Sequence, residues 1–288
     1  MFTRYDGDRS SLWVSCADLS EARQLPAPSG LDADYGVWSP DGQRIVFNGG
    51  RNDPDVNDAV EPWDIYTMDR DGGDIRKLTD ATALLGDPVY SPDGRLITYD
   101  STEAGREGIW VMDADDGGNK RLVAPLPDGL LQDYAPTFSP DGKRIVFLRE
   151  VDAENEAALW IVNLDGSDLH RLTEPGLYPN VSEWSPDGSR IVFDAFRPGE
   201  ELSTIWMIDA DGQHLTELTP PDPVAAGRDG YSKPTWSDDG SLVYTIHGIH
   251  PGPTRLGIAV MRPDGTGLRY VADGSGYEHQ PDWTDTPC

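Results

Sequence analysis

Trp38-Ser39-Pro40-Asp41-Gly42 is a stretch that the chain repeats. It returns as Tyr90-Ser91-Pro92-Asp93-Gly94, as Phe138-Ser139-Pro140-Asp141-Gly142 and as Trp184-Ser185-Pro186-Asp187-Gly188. With one change it returns again as Trp236-Ser237-Asp238-Asp239-Gly240, and a worn sixth copy is Trp283-Thr284-Asp285-Thr286. The leading aromatics stand at 38, 90, 138, 184, 236 and 283, at intervals of 46 to 52 residues. Spacing of roughly 40–50 residues marks a propeller or a solenoid, whose repeats bury their faces only against one another. The 288 residues are therefore expected to form one repeat domain, 1-288.

Each pentapeptide is followed by an apolar run, as in Arg44-Ile45-Val46-Phe47 and Arg190-Ile191-Val192-Phe193. Such β-branched and aromatic runs bounded by turn residues are strands. Pro-Asp-Gly between two strands is a tight turn, with Gly supplying positive φ and Asp bonding its own backbone. A variable loop leads to a third strand, such as Ile109-Trp110-Val111-Met112, then an Asp-Gly turn and a short fourth strand, such as Arg171-Leu172-Thr173. Four antiparallel strands per repeat make a propeller blade. The expected fold is an all-β, six-bladed β-propeller. Its sixth blade is split between three N-terminal strands and an inner strand at Pro281-Asp282-Trp283. That exchange leaves no open sheet edge.

The series Trp-Ser-Pro-Asp-Gly, apolar strand, Asp-Ile-Tyr, Asp-x-Asp-Gly, Arg-x-Leu-Thr resembles the repeat of TolB-type propellers over practically the whole chain. The resemblance implies the fold; TolB itself is a periplasmic component of the Tol-Pal envelope system, but membership of that system does not follow. An α/β domain precedes the TolB propeller and has no counterpart in this sequence. The fold hosts binders and enzymes alike, so function has to come from a site.

Composition narrows the partners. Fifty-one acids against 23 bases give a net charge of -28, and only four bases are Lys. Such a surface repels phosphate backbones, which argues against nucleic acid. A mean hydropathy of -0.52 and the lack of an 18-residue apolar run argue against a membrane span. A protein or peptide, or a glycan, is the expected partner of a monomer.

Strand order places the short turns on one face and the long, variable loops on the other. Function concentrates on variable loops held by a rigid scaffold. Tyr35, Tyr134, Tyr178, Tyr231 and Tyr277 precede inner strands on the long-loop face. There they either stack on a ligand or pack against the neighbouring blade. Arg51, Arg149, Arg197 and Arg255 fall in the second-to-third loops. They either receive an anionic group or pair with nearby acids. His247, His250 and His279, with Glu278, come from adjacent loops of that face. A family of oligogalacturonate lyase propellers with similar repeats uses a histidine-rich metal site. The alternative to a binder is therefore a metal-assisted polysaccharide lyase or hydrolase. No nucleophile motif, phosphate-binding Gly loop or Cys-x-x-Cys is present.

Asp53, Asp55, Asn57 and Glu61 put oxygen atoms at alternating positions, as calcium loops do, although the sharp-turn Gly is missing. Calcium or another divalent metal is the only cofactor suggested, against a simple acidic solvated loop. Cys16 and Cys288 are both expected at the short-turn face of the split blade. A disulfide between them implies an oxidising compartment, and hence export to the periplasm or beyond without a signal peptide in this chain. Two free thiols are the other reading. The function expected is a non-catalytic propeller that engages its ligand at the long-loop face.

Overall fold

The structure is a computed structural model that describes residues 2–6, 9–14, 22–27, 30–50, 62–151, 157–174, 176–219, 228–237, 239–249 and 255–273. An N-terminal sheet holds β1 (Phe2–Asp6), β2 (Arg9–Val14) and β3 (Arg23–Gln24). The first blade holds β4 (Asp32–Trp38), β5 (Arg44–Gly50), β6 (Asp64–Asp69) and β7 (Arg76–Lys77). The second holds β8 (Leu85–Tyr90), β9 (Leu96–Ser101), β10 (Gly108–Asp113) and β11 (Arg121–Pro125). The third holds β12 (Gln132–Phe138), β13 (Arg144–Glu150), β14 (Ala157–Asn163) and β15 (His170–Arg171). The fourth holds β16 (Tyr178–Trp184), β17 (Arg190–Phe196), β18 (Thr204–Asp209) and β19 (Thr216–Glu217). The fifth holds β20 (Arg228–Trp236), β21 (Val243–Ile249), β22 (Arg255–Met261) and β23 (Arg269–Asp273). Within every blade, neighbours in sequence pair antiparallel.

The blade count corrects the expectation. Five four-stranded blades are present among the described residues, not six, and the N-terminal sheet stops at three strands. Pro281-Asp282-Trp283, expected to supply its inner strand, lies outside the described residues.

The pentapeptide forms its turn through the serine. Ser39 Oγ donates to Asp41 Oδ1 at 2.6 Å and accepts from Arg44 N at 2.9 Å, while Gly42 N donates to the Ser39 carbonyl. Gly42 needs its φ of 64°, a left-handed value that a side chain would oppose. The same hydroxyl-to-carboxylate bond recurs at Ser91–Asp93, Ser139–Asp141, Ser185–Asp187 and Ser237–Asp239, at 2.6 to 2.7 Å. It holds these aspartates below the usual carboxylate range, Asp187 and Asp239 at about 2. The Leu-Thr pair after each of three fourth strands has its own task. Thr79 Oγ1 accepts from Ile65 N at 2.9 Å, as Thr173 does from Leu159 N and Thr219 from Ile205 N. Each threonine satisfies a buried backbone N–H where the fourth strand has run out.

The chain divides into two compact units. One contains the N-terminal sheet, the first and second blades, and Gln132–Pro136 of β12. In it, β2 lies against β4, and both β4 and β5 lie against β8. Leu12, Leu25, Ile45, Phe47 and Met68 form one apolar cluster, and Val46, Ile65, Leu85, Ile97 and Met112 another. The other unit contains the remainder of the third blade and the fourth and fifth. There Val192, Ile205, Leu218, Tyr231, Trp236 and Val243 pack together. The second strands are buried on both sides, as β5 and β17 are almost throughout. They therefore read as continuous apolar runs instead of an alternation.

Those strands also run further than the apolar letters suggest. Past runs such as Arg44-Ile45-Val46-Phe47 and Arg190-Ile191-Val192-Phe193 the strands continue, and β5, β9, β13, β17 and β21 reach Gly50, Ser101, Glu150, Phe196 and Ile249. The inner strands begin early as well, so Tyr35, Tyr134, Tyr178 and Tyr231 lie in β4, β12, β16 and β20.

Candidate functional site

Four inner strands contain the same defect at the same place. Tyr35, Asp87, Ala135 and Lys233, each three residues before a pentapeptide aromatic, have φ of 49°, 44°, 50° and 50°. In β4, β8 and β20 the ladder register shifts there, between Asp34 and Val37, Gly86 and Val89, and Ser232 and Thr235. These are β-bulges, and a left-handed non-glycine residue in a bulge is strained. Carboxylates take up the backbone N–H groups released from the ladder. Tyr35 N donates to Asp34 Oδ1 at 2.8 Å and Ala135 N to Asp87 Oδ2 at 2.9 Å. Val181 N and Lys233 N donate to Asp194 Oδ1 at 3.2 and 3.4 Å.

Asn48, Asp100 and Asp194 stand ten residues after their pentapeptide aromatics, inside otherwise apolar second strands. Asn48 Nδ2 donates to the Leu85 carbonyl at 2.6 Å. Asp194 is fully buried. Burial pushes its carboxyl up to about 6, against the opposing pull of its hydrogen bonds from Asn180, Lys233 and Val181. Asp100 is also buried, and its Oδ1 has no hydrogen-bond partner among the described residues. Burial, then the negative charge of Asp87 and that of Asp133, push its carboxyl well above the usual range. Gly86 makes room for it: a Cβ there would lie 2.8 Å from Asp100 Oδ2. This corner of the first unit disfavours the charged form of the Asp100 carboxyl. Among the described residues, no group of three His, Cys, Asp or Glu is arranged to hold a metal ion.

The tyrosines fall in different places. Tyr35 is 43% exposed, at the bulge midway along β4. Tyr134 and Tyr178 are half-buried. Tyr231 is wholly buried, its hydroxyl 2.8 Å from the Tyr270 hydroxyl and its carbonyl accepting from Ser203 Oγ at 2.6 Å. Packing has claimed it. Tyr277 lies outside the described residues.

The arginines follow a rule that spacing alone does not reveal. Arg106, Arg149 and Arg197 each lay the guanidinium over the third-strand tryptophan of their own blade, at 4.7 Å from Trp110, 4.9 Å from Trp160 and 5.1 Å from Trp206. Arg149 is 1% exposed, with Phe147 at 5.3 Å as a second ring, because β13 carries it inside the sheet. Arg197 pairs with Glu217 and, at 3.5 Å, with Glu200. Arg106 pairs with Glu103 at 3.1 Å. These side chains cap tryptophans and answer acids. Arg255 begins β22, and Arg51 lies outside the described residues.

His247 belongs to β21, not to a loop. His250, His279 and Glu278, the calcium-type stretch Asp53, Asp55, Asn57 and Glu61, and both Cys16 and Cys288 lie outside the described residues.

Trp63 and Leu84 bridge one another as the chain passes from the first blade to the second, again at the long-loop end. The Trp63 indole covers Gly50, where a Cβ would lie 2.5 Å from the ring. Leu84 is 36% exposed. Tyr35 and Leu84 are two exposed, large apolar side chains of the first unit.

Comparison with known proteins agrees with this architecture. Residues 129–286, more than half of the chain, match the TolB beta propeller domain. The uncharacterized protein Atu1656 of Agrobacterium fabrum is 31% identical over 142 residues, 47% of this chain and 44% of that protein. The Tol-Pal system protein TolB of Anaeromyxobacter dehalogenans is 35% identical over 112 residues, 38% of this chain and 24% of that protein. The match thus spans less than half the length of either relative. TolB from Acinetobacter baumannii superposes with a TM-score of 0.68 at 21% identity, over 96% of this chain and 63% of that one. An oligogalacturonate lyase in complex with manganese gives 0.65 at 16% identity, over 94% of this chain and 72% of that one. At such identities the superpositions speak for the fold alone. No helix is long and apolar enough to cross a membrane among the described residues. Blades of four antiparallel strands, turns built on Ser-Pro-Asp-Gly and the matched repeat lead to one conclusion: the chain belongs to the TolB β-propeller family.

Proposed function

We propose that the chain is a non-catalytic binding propeller that takes a protein or peptide segment at the long-loop end of its blades, in an exported setting. The observation that carries this reading is Tyr35. Its backbone sits at φ 49° with Asp34 holding its N–H, and its ring stays 43% exposed. Asp87, Ala135 and Lys233 share that bulge, and of the four Tyr35 is the one that presents an exposed aromatic ring from it. An exposed tyrosine supplies broad apolar area and a polar tip at little entropic cost. Leu84 adds exposed apolar surface just before β8, where the long loops lie. Relatives named as Tol-Pal system proteins support a role among envelope proteins, and with it export.

A random peptide library displayed on phage and selected on the immobilised protein tests the proposal. Selected peptides should bind the Tyr35→Ala protein at least tenfold more weakly. A glycan array run in parallel examines the competing ligand class. Selected peptides that bind Tyr35→Ala as tightly as the unmodified protein, or enrichment on glycans alone, would overturn the proposal.

A further inference from the structure

At the short-turn end of the second unit, Arg144, Ser189, Arg190, Asp209, Ala210 and Asp211 line an open cavity of about 420 Å³. Each arginine starts a second strand and lies over the tryptophan that opens the next blade's pentapeptide, Arg144 at 4.8 Å from Trp184 and Arg190 at 5.1 Å from Trp236. Stacking uses the face of a guanidinium and leaves its edge, with a fork of N–H donors, for a planar or tetrahedral anion. Those donors are poorly used. Arg144 Nη2 donates to the Gly188 carbonyl at 3.5 Å, and Arg190 Nη1 reaches Met207 Sδ at 3.7 Å. Asp141 and Asp187, in the turns just before them, feel the two positive charges through space. No ion pair within 4 Å joins either arginine to a carboxylate among the described residues.

The first blade shows what happens when an acid is supplied. Arg44, the equivalent residue, pairs with Asp74 Oδ2 at 3.0 Å. Asp74 stands five residues after Asp69. In the fourth blade the place five residues after Asp209 is held by His214, which turns its Nδ1 to Asp209 Oδ2 at 2.7 Å. The exchange removes the acid that Arg190 would meet and engages one of the two acids lining the cavity. The other, Asp211, accepts from Gln213 N at 3.0 Å and Gln213 Nε2 at 3.2 Å within its own turn. In the third blade Asp168 keeps the equivalent place but lies beside His170, 3.4 Å away. In a chain of 51 acids and 23 bases, two neighbouring guanidiniums without a carboxylate partner run against the composition.

We propose that Arg144 and Arg190 form a binding site for an oxyanion, either a carboxylate or a phosphate group. The site is independent of the long-loop reading and stands or falls by its own test. Phosphate and acetate are titrated separately into the full chain by calorimetry, replacing chloride at fixed ionic strength. One of them should saturate at one equivalent; tighter phosphate binding identifies a tetrahedral ligand, and tighter acetate binding a carboxylate. Arg190→Gln removes one fork. His214→Asp keeps both arginines and recreates the Arg44–Asp74 arrangement in the fourth blade. Both variants should melt as one cooperative unit and bind at least tenfold more weakly, the loss expected for one charge-assisted contact. Arg44→Gln should bind unchanged. Failure of both anions to bind beyond chloride, or full affinity in either Arg190→Gln or His214→Asp, overturns the proposal.

Discussion

Replacing Asp194 with Asn should stabilise the protein at neutral pH and leave it unchanged in mild acid. Asp194 is fully buried in β17, and burial raises its carboxyl from 3.8 to about 6. The folded chain therefore binds this proton more tightly than the unfolded chain does. That stabilisation is complete below about pH 4 and is lost as pH rises through about 6. A difference of about two pH units, at about 1.4 kcal/mol each, corresponds to about 3 kcal/mol. Asparagine keeps an oxygen for Val181 N and Lys233 N, and Asn180 can turn its amide to present an oxygen to the new NH2 group. Urea unfolding of both proteins at intervals from pH 4 to pH 8 isolates the effect, since the other carboxylates are common to both. The stability difference should grow by about 3 kcal/mol in favour of Asp194→Asn across that window. A difference that stays constant with pH, or moves in favour of the unmodified protein, would refute the reasoning.

Other expectations follow from single contacts. Gly86→Ala places a methyl 2.8 Å from Asp100 Oδ2 and should cost about 1–3 kcal/mol in urea unfolding, with most of it recovered in an Asp100→Ala background. Ser185→Ala removes both the donor to Asp187 and the acceptor for Arg190 N. It should cost about 1–2 kcal/mol, and the separate Asp187→Asn change should add little to it. Thr219→Val strands the buried Ile205 N–H, at about 1–3 kcal/mol, and should accelerate amide exchange at Ile205 before the rest of β18.

Much of the blade was legible because the repeat is chemical as well as periodic. Ser39, Asp41 and Gly42 each perform a task in the turn that fixes the residue type, so their recurrence located strand ends throughout the chain. The blade count was less legible, since Trp283 has the right spacing but the described residues form five four-stranded blades and a three-stranded N-terminal sheet. The candidate site was read least well. Arg149 and Tyr231 look like loop residues when strands are ended at the last apolar letter; β13 and β20 extend past that point and bury both. The pairing of Arg106, Arg149 and Arg197 with third-strand tryptophans joins residues 4 to 11 positions apart across a loop of variable length. No fixed spacing announces it. The buried polar residues of the second strands did leave a signal. Asn48, Asp100 and Asp194 interrupt apolar runs at one repeat position, where a strand buried on both sides should have none.

The claim that ligands meet this chain at the long-loop end is open to a footprint. Hydrogen exchange of the protein with and without a library-selected peptide compares the two ends of the first unit's blades directly. Binding should protect the amides around Tyr35 and Leu84, and leave those of the turns at Asp41-Gly42 and Asp93-Gly94 unchanged. Protection confined to those turns, with Tyr35 and Leu84 exchanging as before, would contradict the account.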